Sequence, residues 1–237
     1  MTKIERPKSL TEIAADRLRD DIVSGRIAMG SALSEGALAD SLGISRTPIR
    51  EALMRLQTEG LVKVMPQKGT FVFTVDAKEL KDICDLRTAL ETMALRFAIK
   101  RHADAFAEAL DTVVSRMTRA RRAGDTAEYL RQDSAYHATI FDYCDNAYLA
   151  DAYQTIAAKM AALRTQLGGD PEHMRKSYEE HKAIAKAVRG RDVDEALSIL
   201  EGHIGRKEGS YWQTGKAVEL KAVSDARSPR AEPETVR

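Results

Sequence analysis

The chain has 237 residues, 43% of them hydrophobic and 31% charged, with a formal net charge of +1. That is room for one large or two modest domains of a soluble, helix-rich protein, and too little net charge for the whole molecule to act as an electrostatic adhesive for nucleic acid. Any affinity for DNA must come from locally placed cations. No run of about 18 apolar residues occurs, so no membrane span is expected. The N-terminus MTKIERPKSL lacks an apolar signal core, and Cys84 and Cys144 form neither a metal or redox spacing nor a disulfide framework. The cytoplasm is the expected compartment.

Leu10, Ile13, Ala14, Leu18 and Ile22 recur at helical spacing and predict an amphipathic helix ending near Gly25. Residues 34–60, SEGALADSLGISRTPIREALMRLQTEG, then join two short helical patterns through a tight turn. Leu38, Leu42 and Ile44 anchor the first helix and the turn. Gly43 permits a backbone conformation that a Cβ resists, and Ser45 stands where it can cap the second helix. Pro48 falls in the first turn of that helix, and Ile49, Ala52, Leu53 and Leu56 form its buried face. Ser45, Arg46, Thr47 and Arg50 therefore face outward. Guanidinium groups at i and i+4 can reach phosphates or guanine acceptors in a major groove. Two arginines alone would equally fit a solvated face, but the helix-turn-helix around them favours DNA reading.

Leu61 to Met65 and Thr70 to Val75 are β-rich runs around Pro66, Gln67, Lys68 and Gly69. They predict a hairpin wing with Lys68 and Gly69 at its tip, close to the DNA backbone. Residues 1–75 thus read as a winged helix-turn-helix of three helices and a β-hairpin. They carry 11 Lys plus Arg against 9 Asp plus Glu, which is weak support beside the motif itself.

Beyond Val75, residues 76–214 read as an all-α antiparallel bundle. Six helices are expected, spanning 77–100, 103–122, 126–143, 147–167, 171–189 and 193–212. Their breaks fall at His102, Gly124, Asp145 with Asn146, Gly168 with Gly169, and Gly190. Residues 215–237 lose the apolar period and are expected to be a mobile tail.

Asp133 and His137 lie four apart on one predicted helix, so they share a face and can grip one metal ion. His181 and His203, on later helices beside apolar faces, would turn inward as well. One carboxylate and three imidazoles suit Zn(II) first, with Ni(II), Fe(II) or Mn(II) as alternatives, and leave positions for water or an anion. A D-x-x-x-H pair alone is a weak signal, for which an ordinary surface or core histidine is the usual explanation. His102, at a helix boundary, and His173, just after a Gly-Gly-Asp-Pro break, are not expected to face the same point.

The stretch LSEGALADSLGISRTPIREALMRLQTEGLVKVMPQKGTFV closely resembles the N-terminal winged helix of GntR-family transcriptional regulators. The second half is similar to the ligand domain of the FadR subfamily, called FCD. The matching residues are DLRTALE at 85–91, the pair Asp133 and His137, the S-x-x-E-H of Ser177 to His181, and His203. The resemblance covers roughly residues 8–212. It implies a divalent metal held by Asp133, His137, His181 and His203, completed by a small carboxylate effector. It also implies Arg87 near the cavity, where the guanidinium could clamp that carboxylate or pair with Glu91 one turn later. Many relatives carry an arginine after the glutamate of L-S-E; here that place is Gly36, so no DNA role passes to it.

The expected function is a homodimeric regulator, a repressor, whose two heads read a pseudo-palindromic operator under control of a metal-bound carboxylate. Two alternatives stay open: a metal-dependent enzyme tethered to a DNA-binding head, and a purely structural metal. Arg164 and Tyr178 could also reach a cavity, but no spacing separates them from packing or surface residues.

Overall fold

In the computed structural model, residues 7–167 and 171–205 are described. The expected Gly168–Gly169 break, the last helix beyond residue 205 and the 215–237 tail lie outside them. Helix α1 (Leu10–Val23) starts from a reciprocal cap: Ser9 Oγ accepts from the Glu12 amide, and Glu12 accepts from the Ser9 amide. It buries Thr11, Ala14, Ala15, Leu18 and Ile22. Leu10 and Ile13, expected on that face, are instead 55% and 51% exposed. The stripe is turned by one residue, because the Thr11 hydroxyl can be buried while donating to Glu51 at 2.7 Å.

Helix α2 (Glu35–Leu42) is capped by Ser34 and ends at Gly43, whose φ of 67° closes the helix in the left-handed region. Helix α3 (Arg46–Thr58) buries Ile49, Ala52, Leu53 and Leu56, as its spacing predicts. Ser45 occupies the N-cap position, yet its side chain makes no capping hydrogen bond. Strands β2 (Val62–Met65) and β3 (Gly69–Val72) form the wing, turning through Gln67 at φ 62° and Gly69 at φ 111°. The sequence reading missed a third strand, β1 (Ala32–Leu33), which pairs with β3 to give the antiparallel order β1-β3-β2. Two residues are too few to carry an alternation signal.

The rest is helical. Two separate helices were expected over 77–100 and 103–122. Both are present and meet where expected: they run on as α4 (Ala77–Ala123), two helical segments joined across a kink at His102, whose backbone is non-helical. The kink is braced by the Arg101 guanidinium, which donates to the Cys144 and Asp145 carbonyls at 2.5 and 2.7 Å. Then follow α5 (Thr126–Asp142), α6 (Ala147–Leu167), α7 (Pro171–Arg189) and α8 (Val193–Ile204). Helices α5, α7 and α8 pack on α4, and α6 packs on α5. Cys84 and Cys144 are both buried. Among the described residues no helix is long and apolar enough to cross a membrane.

Two apolar cores result, and their membership crosses the expected boundary. One joins α4, α5, α7 and α8 through Leu95, Phe106, Tyr136, Ile184 and Leu200. The other unites α1, α3 and the wing with Ile83 and Cys84 of α4 and with Met160, Ala162 and Leu163 of α6. Helix α6 is thus part of the head's core as well as of the bundle. The Met29 amide donates to Gln166 on α6 at 2.8 Å, and Lys159 bridges to Glu79 at 3.1 Å while sitting over the Phe73 ring.

Leu163→Ala should destabilise the protein by about 2–5 kcal/mol, because it empties a fully enclosed position. Hydrogen exchange should show the loss of protection in α1 and α3, far along the chain. Confinement of the loss to α5 and α6 would mean that α6 is not part of the head's core.

Candidate metal centre and DNA-reading surface

Asp133 and His137 come from successive turns of α5, His181 from the middle of α7 and His203 from the last turn of α8. Each helix buries an apolar stripe against α4, and the polar side chains on the same stripes meet in the interior. His137 and His181 are fully enclosed, with His203 and Asp133 nearly so. The three imidazoles converge as predicted: His137 Nε2 lies 3.2 Å from His203 Nε2 and 3.4 Å from His181 Nε2. Asp133 stands slightly apart, its Oδ2 at 4.0 Å from His137 Nε2.

The outer partners fix what the rings can do. His137 Nδ1 lies 2.6 Å from Glu91, and His203 Nδ1 lies 2.8 Å from Glu180. A carboxylate only accepts, so in both rings the proton belongs on Nδ1 and Nε2 presents a lone pair. Two lone pairs facing each other at 3.2 Å need a shared cation or donor. For a zinc ion bound at 2.0–2.1 Å, tetrahedral ligands stand about 3.3 Å apart, so the nitrogen spacing suits such an ion. Burial keeps His137 and His181 well below the ordinary imidazole pKa, aided by Arg87 for the first and His203 for the second. Both are therefore neutral, the form that binds metal. Asp133 has a lowered pKa and is ionised: burial opposes its charge, but His181, Arg164, His203 and Arg87 together outweigh that.

Arg87 is almost fully enclosed and pairs with Glu91 at 2.5 Å, so the salt bridge foreseen as one reading is present. Its other arm keeps it at the centre, with Nη2 donating to His137 Nε2 at 2.7 Å. Sequence reasoning left Arg164 undecided. It is 2% exposed, and its Nε lies 2.9 Å from Asp133 Oδ2, while Ser177 Oγ donates to Asp133 Oδ1 at 3.1 Å. Tyr178 lies away from the rings, hydrogen-bonded to Thr118 and stacked under Arg121. Glu91 and Glu180 have no role in the sequence reading beyond the pairing with Arg87 and the position beside His181. Their acceptance from imidazoles 46 and 23 residues away has no sequence period. Tyr136 lies against the His181 ring and donates to the His181 carbonyl at 3.0 Å. His102 is remote at the kink, whereas His173 lines a small cleft of about 10 Å³ beside Asp133, Arg164 and Ser177.

On the head, Ser45, Arg46, Thr47 and Arg50 are exposed along the start of α3, and Lys68 and Gly69 are exposed at the wing tip. Arg50 is gripped by Glu35 of α2, with Nη2 to Oε2 at 2.8 Å, and the hydrogen bond raises the guanidinium's pKa further. Arg46 lies across Gly36: a Cβ there would stand 3.4 Å from its Nη2. The glycine in place of the familiar arginine leaves that space to Arg46.

Comparison with known proteins agrees with this geometry. Residues 10–72 match the model for bacterial regulatory proteins of the gntR family, and residues 82–206 match the FCD domain. The chain is 28% identical over 200 residues to the gluconate operon transcriptional repressor of Bacillus licheniformis, covering 82% of each chain. It is 30% identical over 184 residues to the Nta operon transcriptional regulator of Aminobacter aminovorans, covering 77% of this chain and 85% of that one. Among solved structures, E. coli McbR/YncC shares the fold with a TM-score of 0.72 at 23% identity, over 84% of this chain and 94% of that one. These relatives and both domain models are transcriptional regulators rather than enzymes, and the chain belongs to the GntR family, as a winged helix-turn-helix regulator with an FCD domain.

Proposed function

We propose that the protein is a homodimeric repressor of the FadR subfamily, acting in the cytoplasm. In this reading its affinity for a pseudo-palindromic operator is set by a small carboxylate bound at a divalent metal, zinc first. The domain limits proposed are 1–75 for the head and 76–214 for the effector and dimerisation domain. The observation that carries the reading is the convergence of the His137, His181 and His203 ring nitrogens on one enclosed point, with Glu91 and Glu180 beside the outer nitrogens of His137 and His203. His137, His181, His203 and Asp133 would hold the ion. When bound, it would supply a Lewis-acidic position for an anionic oxygen.

The chain's own residues supply the rest. Arg87 is placed to donate to an anion beside the centre, and burial strengthens that contact by excluding water. Arg164 reports the state of the site to α6, since its guanidinium is tied to Asp133 while its neighbour Leu163 sits in the head's core. A ligand that redraws the Asp133–Arg164 contact would move α6 against α1 and re-aim the heads. Such control needs different effector affinity in the two arrangements. At the head, Arg46 and Arg50 with Ser45 and Thr47 would enter the major groove, and Lys68 with Gly69 would follow the backbone. Glu35 neutralises Arg50 away from DNA, so a phosphate must compete for that guanidinium.

Neither alternative has comparable support. A structural staple would not require Arg87 beside the ring nitrogens. A hydrolytic enzyme would need a general base at the centre, and the nearby glutamates Glu91 and Glu180 are committed to imidazole N–H groups.

The direct test is to measure affinity for the promoter DNA of the protein's own operon with metal-loaded and metal-stripped protein, with and without small carboxylates. Metal-dependent carboxylate binding that changes operator affinity is expected, with folding intact after stripping. Unfolding on stripping would point to a staple, and turnover of the acids to an enzyme. Glu180→Ala should weaken metal binding by about 10–100-fold in a chelator competition, because His203 loses its orienting acceptor. Unchanged affinity would remove His203 from the ligand set. Arg50→Ala should weaken DNA binding and lower the slope of log affinity against log salt by about 1. An unaltered slope would take Arg50 out of the interface.

A further inference from the structure

We infer that Arg164 is a second anion-binding guanidinium of the effector site and that it sets the effector's class: a small dianion, with two carboxylates rather than one. The inference rests on the metal-and-carboxylate reading proposed above and deepens it.

Two arginines are among the most completely buried side chains of the protein, Arg87 at 1% and Arg164 at 2% exposure. They approach the histidines from different helices, α4 and α6, and through different carboxylates, Glu91 and Asp133. Arg87 is bound at the His137 side, whereas Arg164 is bound to the oxygen of Asp133 that lies 4.0 Å from the same ring nitrogen. An anion at the centre would thus have a guanidinium within reach on either side. Arg164 also lines the small cleft with Tyr129, His173, Met174 and Ser177, so it lies on the side of the centre nearest that opening.

The buried charges point the same way. Arg87 and Arg164 are balanced by Glu91 and Asp133, and the three imidazoles are neutral as metal ligands. Glu180 does not enter this balance: it sits at the rim, 24% exposed and 4.0 Å from Lys176. A divalent cation therefore leaves the enclosed centre with two uncompensated positive charges, a costly state in a low dielectric. A monocarboxylate removes one of them. A dicarboxylate removes both, with one carboxylate at the metal and Arg87 and the other at Arg164. Each planar guanidinium can meet a carboxylate with two parallel N–H groups, so the second carboxylate is read by shape as well as charge.

The test uses full-length, metal-loaded protein and calorimetric titration with matched pairs: succinate against butyrate, and malate against 3-hydroxybutyrate. Succinate and malate are expected to bind at least about tenfold tighter than their monoanionic partners. In Arg164→Gln that ratio should collapse towards one, whatever the change in absolute affinity. Arg164→Lys, which keeps the charge but not the fork, should retain part of it. Each ratio is taken within one protein, so a uniform loss of stability does not mimic the effect, and thermal melts identify a variant that fails to fold. A wild-type ratio at or below one overturns the inference by itself, as does a folded Arg164→Gln that keeps the wild-type ratio. Failure of every acid to bind the metal-loaded protein would instead overturn the effector reading on which the inference rests.

Discussion

Two imidazole lone pairs held 3.2 Å apart inside a helical bundle are the constraint around which the C-terminal half is organised. The His137 nitrogen accepts from Arg87, and burying three ring nitrogens against one another is an arrangement that polar partners must hold in place. Glu91 and Glu180 impose it by accepting the opposite N–H of each ring. Those glutamates are themselves constrained: Glu91 is fully buried and shares its oxygens between Arg87 and His137, while Glu180 stays near the surface. The centre is therefore not four ligands attached to a scaffold. It is a charge network that includes α4, α5, α6, α7 and α8, and in the proposed function a divalent cation would complete it.

The network's connection to the DNA-reading half is mechanical rather than electrostatic. Helix α6 offers Arg164 to Asp133 on one side, and on the other it buries Met160, Ala162 and Leu163 among the side chains of α1, α3 and the wing. Adjacent residues on a helix cannot move independently, because the backbone hydrogen-bond ladder carries displacement along the axis. Packed cores respond to displacement by switching between discrete arrangements rather than deforming continuously. In the proposed mechanism a change of partner at Arg164 would be felt where Gln166 accepts from Met29, just after α1.

How much of this was legible follows from which interactions have a period. The head was read almost completely, because Ile49, Ala52, Leu53 and Leu56 repeat at helical spacing and Gly43 and Gly69 occupy positions that demand positive φ. Strand β1 escaped because two residues show no alternation, and the α1 face was set one residue off because Thr11 hides its hydroxyl against Glu51. Helix ends at Gly124 and Asp145 were legible from their capping chemistry and the break at His102 was legible too, but not its brace, since Arg101 donates to carbonyls over 40 residues away. The three histidines could be collected because each lies on a buried stripe and His137 has Asp133 one turn behind it. Arg164 could not, since its partner on α5 is 31 positions back and a lone arginine near a helix end looks like a dipole-matched surface residue.

The head itself follows the logic of the buried centre in a solvated setting. Glu35 holds Arg50 against α2, and Gly36, the next residue, leaves the space that Arg46 crosses. Both arginines are thus positioned by the first turn of α2 before any DNA arrives, which lowers the entropy lost when long side chains are ordered in a groove. The two pairings differ in what they leave free. Arg50 must exchange a carboxylate for a phosphate or base, an exchange of like for like in charge. Arg46 gives up only van der Waals contact with a glycine. An arginine at position 36 would add a cation but crowd that path, so the glycine trades one contact for freedom of another. In the proposed function the reading of DNA by this head would centre on Arg46, with Arg50 released to the interface only where the operator presents an acceptor that outcompetes Glu35.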